Sequence, residues 1–250
     1  MNMIITVASG KGGVGKSNFV ANLGIALSEF GVDVVILDGN LTNGDLGCIL
    51  GPPFPKKTIH DVVSEGVHVS DAVFQHPTGV RVLASSLSID DMTVVKPKHM
   101  SEIVGNMEGL ADVILLDAPG TLGENTVESM KLADKIILLT TPEITSYANT
   151  LKTKKVAEKH GLDVLGTVVN KVRRNWGKVE KEAEDWVGSD VLGILPYDEN
   201  VIESVEYGRP VLRHKPFSRY SIEMKKFGAA LADVSYSPPS YFRQLLAKYF

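Results

Sequence analysis

A glycine-rich stretch near the start of the chain carries residues suited to phosphate binding. Residues 10–17 read GKGGVGKS, a glycine, four residues and then Gly-Lys-Ser, and they lie between a predicted strand and a predicted helix. Glycines permit turns that direct backbone N–H groups at phosphate oxygens, and a helix N-terminus favours negative charge. Lys16 is expected to meet the β- and γ-phosphates and Ser17 to ligate Mg²⁺; the alternative is a glycine turn with Lys and Ser there by chance. The predicted binding loop comprises Gly10, Lys11, Gly12, Gly13, Val14, Gly15, Lys16, Ser17 and Asn18.

Two further polar residues follow apolar runs. Asp117 follows residues 113–116 and precedes Ala-Pro-Gly, so its carboxylate is expected at the carboxyl edge of a sheet, where it could hold Mg²⁺ or instead serve as a turn or capping residue. Asn170 follows residues 164–169. Its amide has a donor and an acceptor that suit the N6 and N7 edge of adenine, but an Asn at a strand end is equally natural as a turn former.

The elements that must position these residues are visible as short apolar runs rich in Val, Ile and Leu. Because the runs do not alternate with polar residues, they are typical of strands buried on both faces. Helices are predicted over 17–30 and 146–160, each followed by a glycine. We therefore predict an α/β fold with a mostly parallel central sheet and helices on both faces. The predicted strands are residues 3–8, 32–37, 80–84, 113–116, 135–140, 164–169 and 191–195.

Size and composition limit the classes of protein that are possible. With 250 residues, of which 44% are hydrophobic, the chain can bury the core of one sizeable domain. A formal net charge of -4 gives no general attraction to nucleic acid. A single cysteine excludes an internal disulfide framework or a cysteine-ligated cluster within one chain. We predict one domain over residues 1–234, a Ser/Pro linker over 235–240 and a separate C-terminal segment over 241–250.

The loop sequence KGGVGKS, with a lysine directly after the first glycine, resembles the deviant Walker A motif of the MinD/ParA family of ATPases. Four more stretches resemble the same family. VVILDGNLTNGDLGCILG resembles its first switch, and DVILLDAPG resembles its second switch. LGTVVNKVRR resembles the strand end that reads the base, and GILPYDENVIESVEYGRPV resembles the segment that closes over the base. These matches spread over roughly residues 1–230, and LTNGDLGCILG and TIHDVV are most similar to archaeal MinD-type proteins.

The resemblance implies a role for each matching residue. Lys11 would reach across a dimer to the phosphates of the nucleotide in the other subunit, so that loss of the γ-phosphate weakens association; the alternative is a solvated surface lysine. Asp38 would lie near the Mg²⁺ ion, Asp117 would be the Walker B aspartate, and Gly120 would offer its N–H to the γ-phosphate. ATP and Mg²⁺ are the implied cofactors.

Position 40 departs from the family pattern, which usually has an aspartate that positions the attacking water. Here the residue is Asn40, whose amide has a similar shape but no negative charge and no capacity to take the water's proton. Hydrolysis is expected to slow without vanishing, because phosphoryl transfer depends mainly on positioning and charge neutralisation. A naturally slow switch and an engineered change that traps the ATP dimer are both compatible with the sequence. Lys11, Lys16, Asp38 and Asn40 are the predicted catalytic residues.

The base pocket implied by the resemblance lies at the ends of two predicted strands. It would comprise Asn170, Lys171, Pro196, Tyr197 and Asp198. Around it, a local basic cluster surrounds Trp176, and a solvated face is favoured over a DNA-binding surface because the chain is acidic overall. The cluster consists of Lys171, Arg173, Arg174 and Lys178.

The last ten residues, YFRQLLAKYF, have an amphipathic pattern. If helical, they place aromatic and leucine side chains on one face and Arg243, Gln244 and Lys248 on the other flank, which is typical of a helix in a membrane interface. Tyr241–Phe250 are therefore predicted to bind an anionic membrane surface, more firmly when dimerisation brings two copies together. A helix docked on its own domain and a partner-binding peptide are the alternatives.

Taken together, the sequence predicts a MinD-like ATPase that forms a homodimer with ATP, positions an unidentified protein partner or cargo, and is cytoplasmic with peripheral membrane association. The alternative is a ParA-like partitioning ATPase that binds nonspecific DNA, although nucleic acid is an unlikely partner. A nitrogenase-iron-protein type of reductase is disfavoured because Cys48 is the single cysteine, and a metabolic kinase because no acceptor-substrate site is evident.

Overall fold

The protein was analysed as a computed structural model, which describes residues 2–41, 44–88, 91, 95–173 and 175–239. Within these residues, eight strands form a single sheet in the order β3-β4-β2-β5-β1-β6-β7-β8. All neighbouring pairs are parallel except β3 and β4. The strands are β1 Met3–Ala8, β2 Val34–Asp38, β3 Phe74–Gln75, β4 Arg81–Leu83, β5 Val113–Asp117, β6 Lys135–Thr140, β7 Val164–Val172 and β8 Val191–Pro196.

Eleven helices within the described residues connect and cover these strands. They are α1 Lys16–Glu29, α2 Leu46–Leu50, α3 Ile59–Glu65, α4 Val69–Ala72, α5 Pro97–Gly105, α6 Glu124–Lys131, α7 Ile144–Lys159, α8 Trp176–Val187, α9 Glu199–Glu206, α10 Val211–His214 and α11 Arg219–Leu231.

Helices cover both faces of the sheet, as the non-alternating apolar runs predict. Ile137 packs with α1 and α11 on one face, whereas the adjacent Ile136 and Leu138 pack with α6, α7 and α8 on the other. The second face is completed at the β4 side by α3, α4 and α5. Alternate residues of a strand point to opposite faces, so a strand buried on both sides needs apolar residues at every position. The predicted fold class is confirmed.

Several predicted boundaries were wrong. Strand β3, a two-residue antiparallel strand, was not predicted, because two residues carry no periodic pattern. The strand predicted over 164–169 continues to Val172 and therefore includes Asn170 and Lys171. The strands predicted at 113–116 and 191–195 end one residue later, at Asp117 and Pro196.

The remaining boundary errors are small. The strand predicted over 32–37 is Val34–Asp38, and the strand predicted over 80–84 is limited to Arg81–Leu83. The two predicted helices begin one and two residues earlier than expected and each ends one residue earlier, at Glu29 and Lys159.

Strand order brings the predicted site residues to one edge. Strand β1 lies between β5 and β6, and β5 also pairs with β2. Asp38 and Asp117 are opposite each other at the carboxyl ends of β2 and β5. Since ligands of such sheets bind beyond the carboxyl ends where the strand order reverses, this edge is the expected place for the site.

Candidate functional site

The loop between β1 and α1 turns at glycines with left-handed backbone conformations. Gly13 has φ 77° and Gly15 has φ 91°, values that glycine adopts without strain. Gly15 is the N-cap of α1 and no side chain caps this helix end, which leaves its dipole directed towards the loop. The local conformation is therefore that of an anion-binding turn at a helix N-terminus.

A cleft of about 730 Å³ opens beside this loop, which is within the usual size range of small-molecule sites. The predicted loop residues Lys11 and Gly13 to Asn18 line it, and so do Asn40 and Gly120. Sequence reasoning did not predict the rest of its lining. Those residues are Ser9, Asp45, Ile49, Pro119, Thr121, Gly123, Glu124, Asn125 and Thr126.

Lys16 and Asp117 form a buried ion pair at the base of the cleft. The Lys16 Nζ lies 2.5 Å from Asp117 Oδ1, and the two side chains are 5% and 1% exposed. Asp117 Oδ2 is buried without a hydrogen-bond partner among the described residues. A buried carboxylate oxygen without a partner is costly, and it is the donor type that Mg²⁺ prefers. The residues present therefore fit a divalent cation beside Ser17, which also lines the cleft.

Asp38 is a second buried carboxylate next to this pair. Burial and the nearby charge of Asp117 raise the pKa of Asp38 to about 7, although hydrogen bonds from Ser85 and the Asn40 N–H and the charge of Lys16 oppose the shift. The Ser85 hydroxyl donates to Oδ2 at 2.6 Å and the Asn40 N–H donates to Oδ1 at 3.0 Å. A cation bound here would favour the ionised form of Asp38.

The two loops predicted as switches both reach the cleft. Asn40 lines it and is half-buried; Thr42 and Asn43 of the first switch lie outside the described residues. Gly120 approaches the phosphate loop so closely that a Cβ on it would lie 3.6 Å from the Gly12 Cα. Movement of either switch loop would therefore alter the lining of the same cleft.

Lys11 has a partner that the sequence did not predict. Its Nζ lies 2.8 Å from Glu143 Oε2, and the two side chains are 42% and 57% exposed. Glu143 is the N-cap residue of α7, after the carboxyl end of β6. Glu143 lies beside Lys11 because β6 pairs with β1, and this pairing is not evident from the sequence alone.

Asn170 and Lys171 contact the phosphate loop. The Asn170 Nδ2 donates to the Val14 carbonyl at 2.9 Å, and the Lys171 Nζ donates to the Gly13 carbonyl at 2.7 Å. A Cβ on Gly15 would lie 2.8 Å from Asn170 Nδ2, so the close approach of this strand end requires glycine there. Neither residue lines the cleft.

The other residues predicted for the base pocket lie near the start of α9. The Asp198 side chain accepts from the N–H groups of Asn200 and Tyr220. Burial alone raises the pKa of Asp198, but these hydrogen bonds outweigh it and hold the pKa below its usual range. Arg173 stacks on the Tyr197 ring at 3.8 Å, and Pro196 is the last residue of β8. Asp198 therefore serves as a helix cap in this structure.

Some predictions lie outside the described residues. They concern Arg174 in the basic cluster, Ser240 at the end of the linker and the segment 241–250. Among the residues that are described, no helix has both the length and the apolar character needed to cross a membrane.

Comparison with known proteins gives a consistent result. A family model described as the CobQ/CobB/MinD/ParA nucleotide binding domain matches residues 5–211. An ATP-binding protein of Methanocaldococcus jannaschii is 34% identical over 93% of this chain and 89% of its own length. The antiactivator FleN of Pseudomonas aeruginosa is 27% identical over 89% and 83%. The septum site-determining protein MinD of Pyrococcus horikoshii, solved with Mg-ADP, has a TM-score of 0.84 at 30% identity and covers 92% of this chain and 96% of its own.

Proposed function

The chain belongs to the CobQ/CobB/MinD/ParA nucleotide-binding family, and we propose that it is a MinD-like ATPase that alternates between an ATP-bound dimer and a monomer in order to position other proteins. The observation that carries the proposal is the contrast between the two loop lysines. Lys16 is buried against Asp117 at the base of the cleft, whereas Lys11 is exposed at its rim. One lysine therefore serves its own site, and the other is available to a second subunit.

ATP and Mg²⁺ are the ligands proposed for the cleft. The positive-φ glycines and the α1 N-terminus would bind phosphate oxygens, and Lys16 would exchange part of its contact with Asp117 for the β- and γ-phosphates. Ser17, Asp117 and Asp38 would hold the metal, and the unpartnered Asp117 Oδ2 supports this assignment. When bound, Mg²⁺ neutralises charge on the phosphates.

Lys11 would couple the nucleotide to association. In the dimer its ammonium would leave Glu143 and approach the phosphates of the partner subunit's nucleotide. An exposed ion pair contributes roughly 0–1 kcal/mol, so the pair with Glu143 is weak enough to be exchanged. Because the γ-phosphate carries much of the charge that attracts Lys11, hydrolysis would weaken the dimer.

Asn40 would make turnover slow. It lines the cleft, where its side chain could orient a water molecule but could not accept a proton from it. ATP binding and dimerisation would persist while hydrolysis is reduced. The nucleotide-bound dimer would then be a long-lived state.

The dimer is proposed to act at a membrane. Residues 1–234 would form the ATPase domain, 235–240 a linker, and 241–250 an amphipathic segment that binds anionic lipid weakly in one copy and firmly in two. DNA is less favoured as the surface, because Lys171 and Arg173 of the basic cluster already contact Gly13 and Tyr197. The protein would be cytoplasmic in its ADP state and peripherally membrane-associated with ATP.

Size-exclusion chromatography with light scattering tests the proposal. The parent protein is expected to elute as a dimer with ATP and as a monomer with ADP. Lys11→Ala should remain monomeric with ATP while its affinity for ATP stays within about threefold of the parent, since the exposed Lys11 ammonium pairs with Glu143 and is proposed to serve the partner subunit's nucleotide. Lys178→Ala, which removes an exposed lysine paired with Glu182 at 3.5 Å, is the control. A Lys11→Ala protein that dimerises as tightly as the parent would refute the switch.

A further inference from the structure

The end of strand β7 holds two consecutive carbonyl groups of the phosphate loop. Asn170 donates to the Val14 carbonyl and Lys171 donates to the Gly13 carbonyl. The Asn170 Oδ1 also accepts the Lys171 N–H at 2.9 Å, which fixes the amide so that its NH₂ group faces the loop. Both side chains therefore contact the loop on the side that faces β7, away from the cleft.

A bulge in β7 directs these residues at the loop. Between the paired positions Val169–Ile194 and Val172–Pro196, β7 advances three residues while β8 advances two. Bulges of this kind redirect side chains and are frequent next to functional sites. Lys171 lies in the bulge with φ 62°, a left-handed conformation that is strained for any residue with a side chain. Lys171 is held in this conformation by two hydrogen bonds, from its N–H to Asn170 Oδ1 and from its Nζ to the Gly13 carbonyl.

Because peptide groups are planar, fixing the Gly13 and Val14 carbonyls also fixes the direction of the N–H groups that follow them. In a trans peptide, the carbonyl of one residue and the N–H of the next point in opposite directions. Holding the Gly13 and Val14 carbonyls outwards therefore turns the N–H groups of Val14 and Gly15 away from β7. Val14 and Gly15 line the cleft, so we infer that their N–H groups face a ligand bound there.

We propose that Lys171 is a positioning residue for phosphate binding: it holds the phosphate loop in its binding conformation from outside and makes no contact with the base. This inference rests on the proposed nucleotide site and reassigns Lys171 from the base pocket to the loop. The loop contains four glycines within residues 10–15, and such a segment loses much conformational entropy when ordered. By restricting the loop before nucleotide binds, Lys171 reduces the conformational entropy that the loop loses on binding.

Three substitutions at one position separate this role from others. Lys171→Met removes the donor but keeps the apolar stem, Lys171→Arg keeps a donor, and Lys171→Gly removes the donor together with the left-handed strain. We expect Lys171→Met and Lys171→Gly to weaken binding of ADP and ATP alike by about tenfold, the scale of one hydrogen bond from a charged donor, with an unchanged ratio of ATP to GTP affinity. Lys171→Arg should restore most of the affinity. Lys178→Met is the matched control.

Two readouts make the outcome decisive. Calorimetry gives the dissociation constants, and hydrogen exchange on the nucleotide-free protein should show faster exchange in the peptide containing Val14 and Gly15 in Lys171→Met but not in Lys178→Met. Nucleotide affinities within twofold of the parent, unchanged loop exchange, or a changed ATP-to-GTP ratio would each overturn the assignment. A parent protein that binds no nucleotide would instead refute the proposed function. Hydrogen exchange on the nucleotide-free protein would still test whether Lys171 restricts the loop.

Discussion

The two lysines of the loop lie in different surroundings. The Lys16 ammonium is enclosed with the Asp117 carboxylate, and in such a buried pair the loss of either partner leaves an uncompensated charge. The Lys11 ammonium and the Glu143 carboxylate are both well exposed, so either can exchange its partner at little cost. The motif and the resemblance predict different roles for the two lysines, and their different burial is consistent with that prediction.

Asn40 stands where the family pattern usually has an aspartate. A single substitution tests whether this residue slows hydrolysis. Asn40→Asp is expected to raise the turnover of ATP by about tenfold or more, because a carboxylate can orient the attacking water and share its proton. The rate is measured as phosphate release at saturating ATP.

Asn125→Asp is the matched control for this change. It adds the same charge at another asparagine of the cleft lining, where no role in hydrolysis is proposed. If turnover of Asn40→Asp stays at the parent's value, or if Asn125→Asp raises it equally, position 40 has no special role in water activation.

At the level of elements, buried asparagines join helix α1 to helix α10. The Asn22 Nδ2 donates to the Asn18 carbonyl at 2.8 Å and to its Oδ1 at 3.1 Å, while the Asn22 Oδ1 accepts the Leu212 N–H at 3.1 Å. Asn22 is fully buried. The helix that begins at the phosphate loop is thereby fixed to Leu212, which directly follows the segment predicted to close over the base.

Replacement of Asn22 tests how much this link contributes to stability. Asn22→Ala leaves the Leu212 N–H and the Asn18 Oδ1 buried without a partner, and each such group costs about 1–3 kcal/mol. We expect the free energy of unfolding in urea to fall by about 2–4 kcal/mol. Asn106→Ala, at an exposed position after α5, should change it by less than about 0.5 kcal/mol. Equal stability of the two variants would contradict the assigned link.

The strands were predictable from the sequence because burial on both faces demands a continuous apolar run. The phosphate loop was predictable because its glycine and lysine spacing, between a strand and a helix, is specific for phosphate binding. The bulge at Asn170 and Lys171 was not, since nothing in a local pattern indicates one extra residue relative to a neighbouring strand. The Lys11–Glu143 pair joins residues 132 positions apart, so it depends on the strand order, which local patterns do not determine.

For the whole molecule, the proposed site and the proposed membrane segment are distant in sequence and need not contact each other. The phosphate loop ends at Ser17, and the amphipathic segment begins at Tyr241. Dimerisation alone could join them, because two weak segments on one particle bind a surface with far greater avidity than one. The ATP state would then control membrane residence without any contact between nucleotide and lipid.

Sedimentation with anionic liposomes tests this arrangement. The parent is expected to sediment with ATP more than with ADP, and a protein lacking residues 240–250 should not sediment with either. Leu245→Glu and Gln244→Glu form a matched pair: each adds one negative charge, but only the former places it on the predicted apolar face.

We expect Leu245→Glu to abolish sedimentation and Gln244→Glu to reduce it by only a few fold. The scale is about 1 kcal/mol for each charge near an anionic surface. Unchanged sedimentation of the truncated protein would rule out residues 241–250 as the membrane anchor.

The exposed pair of Lys11 with Glu143 also affects how association would respond to ionic strength. Each protomer that pairs would break one attraction within its own chain and form another across the interface, and dissolved ions screen both. The loss of the pair within the chain offsets part of the salt dependence of the contact across the interface, so the proposed dimer should tolerate changes in salt better than a contact made by a previously unpaired cation. A nucleotide-dependent signal could then be maintained while the ionic composition of the cell varies.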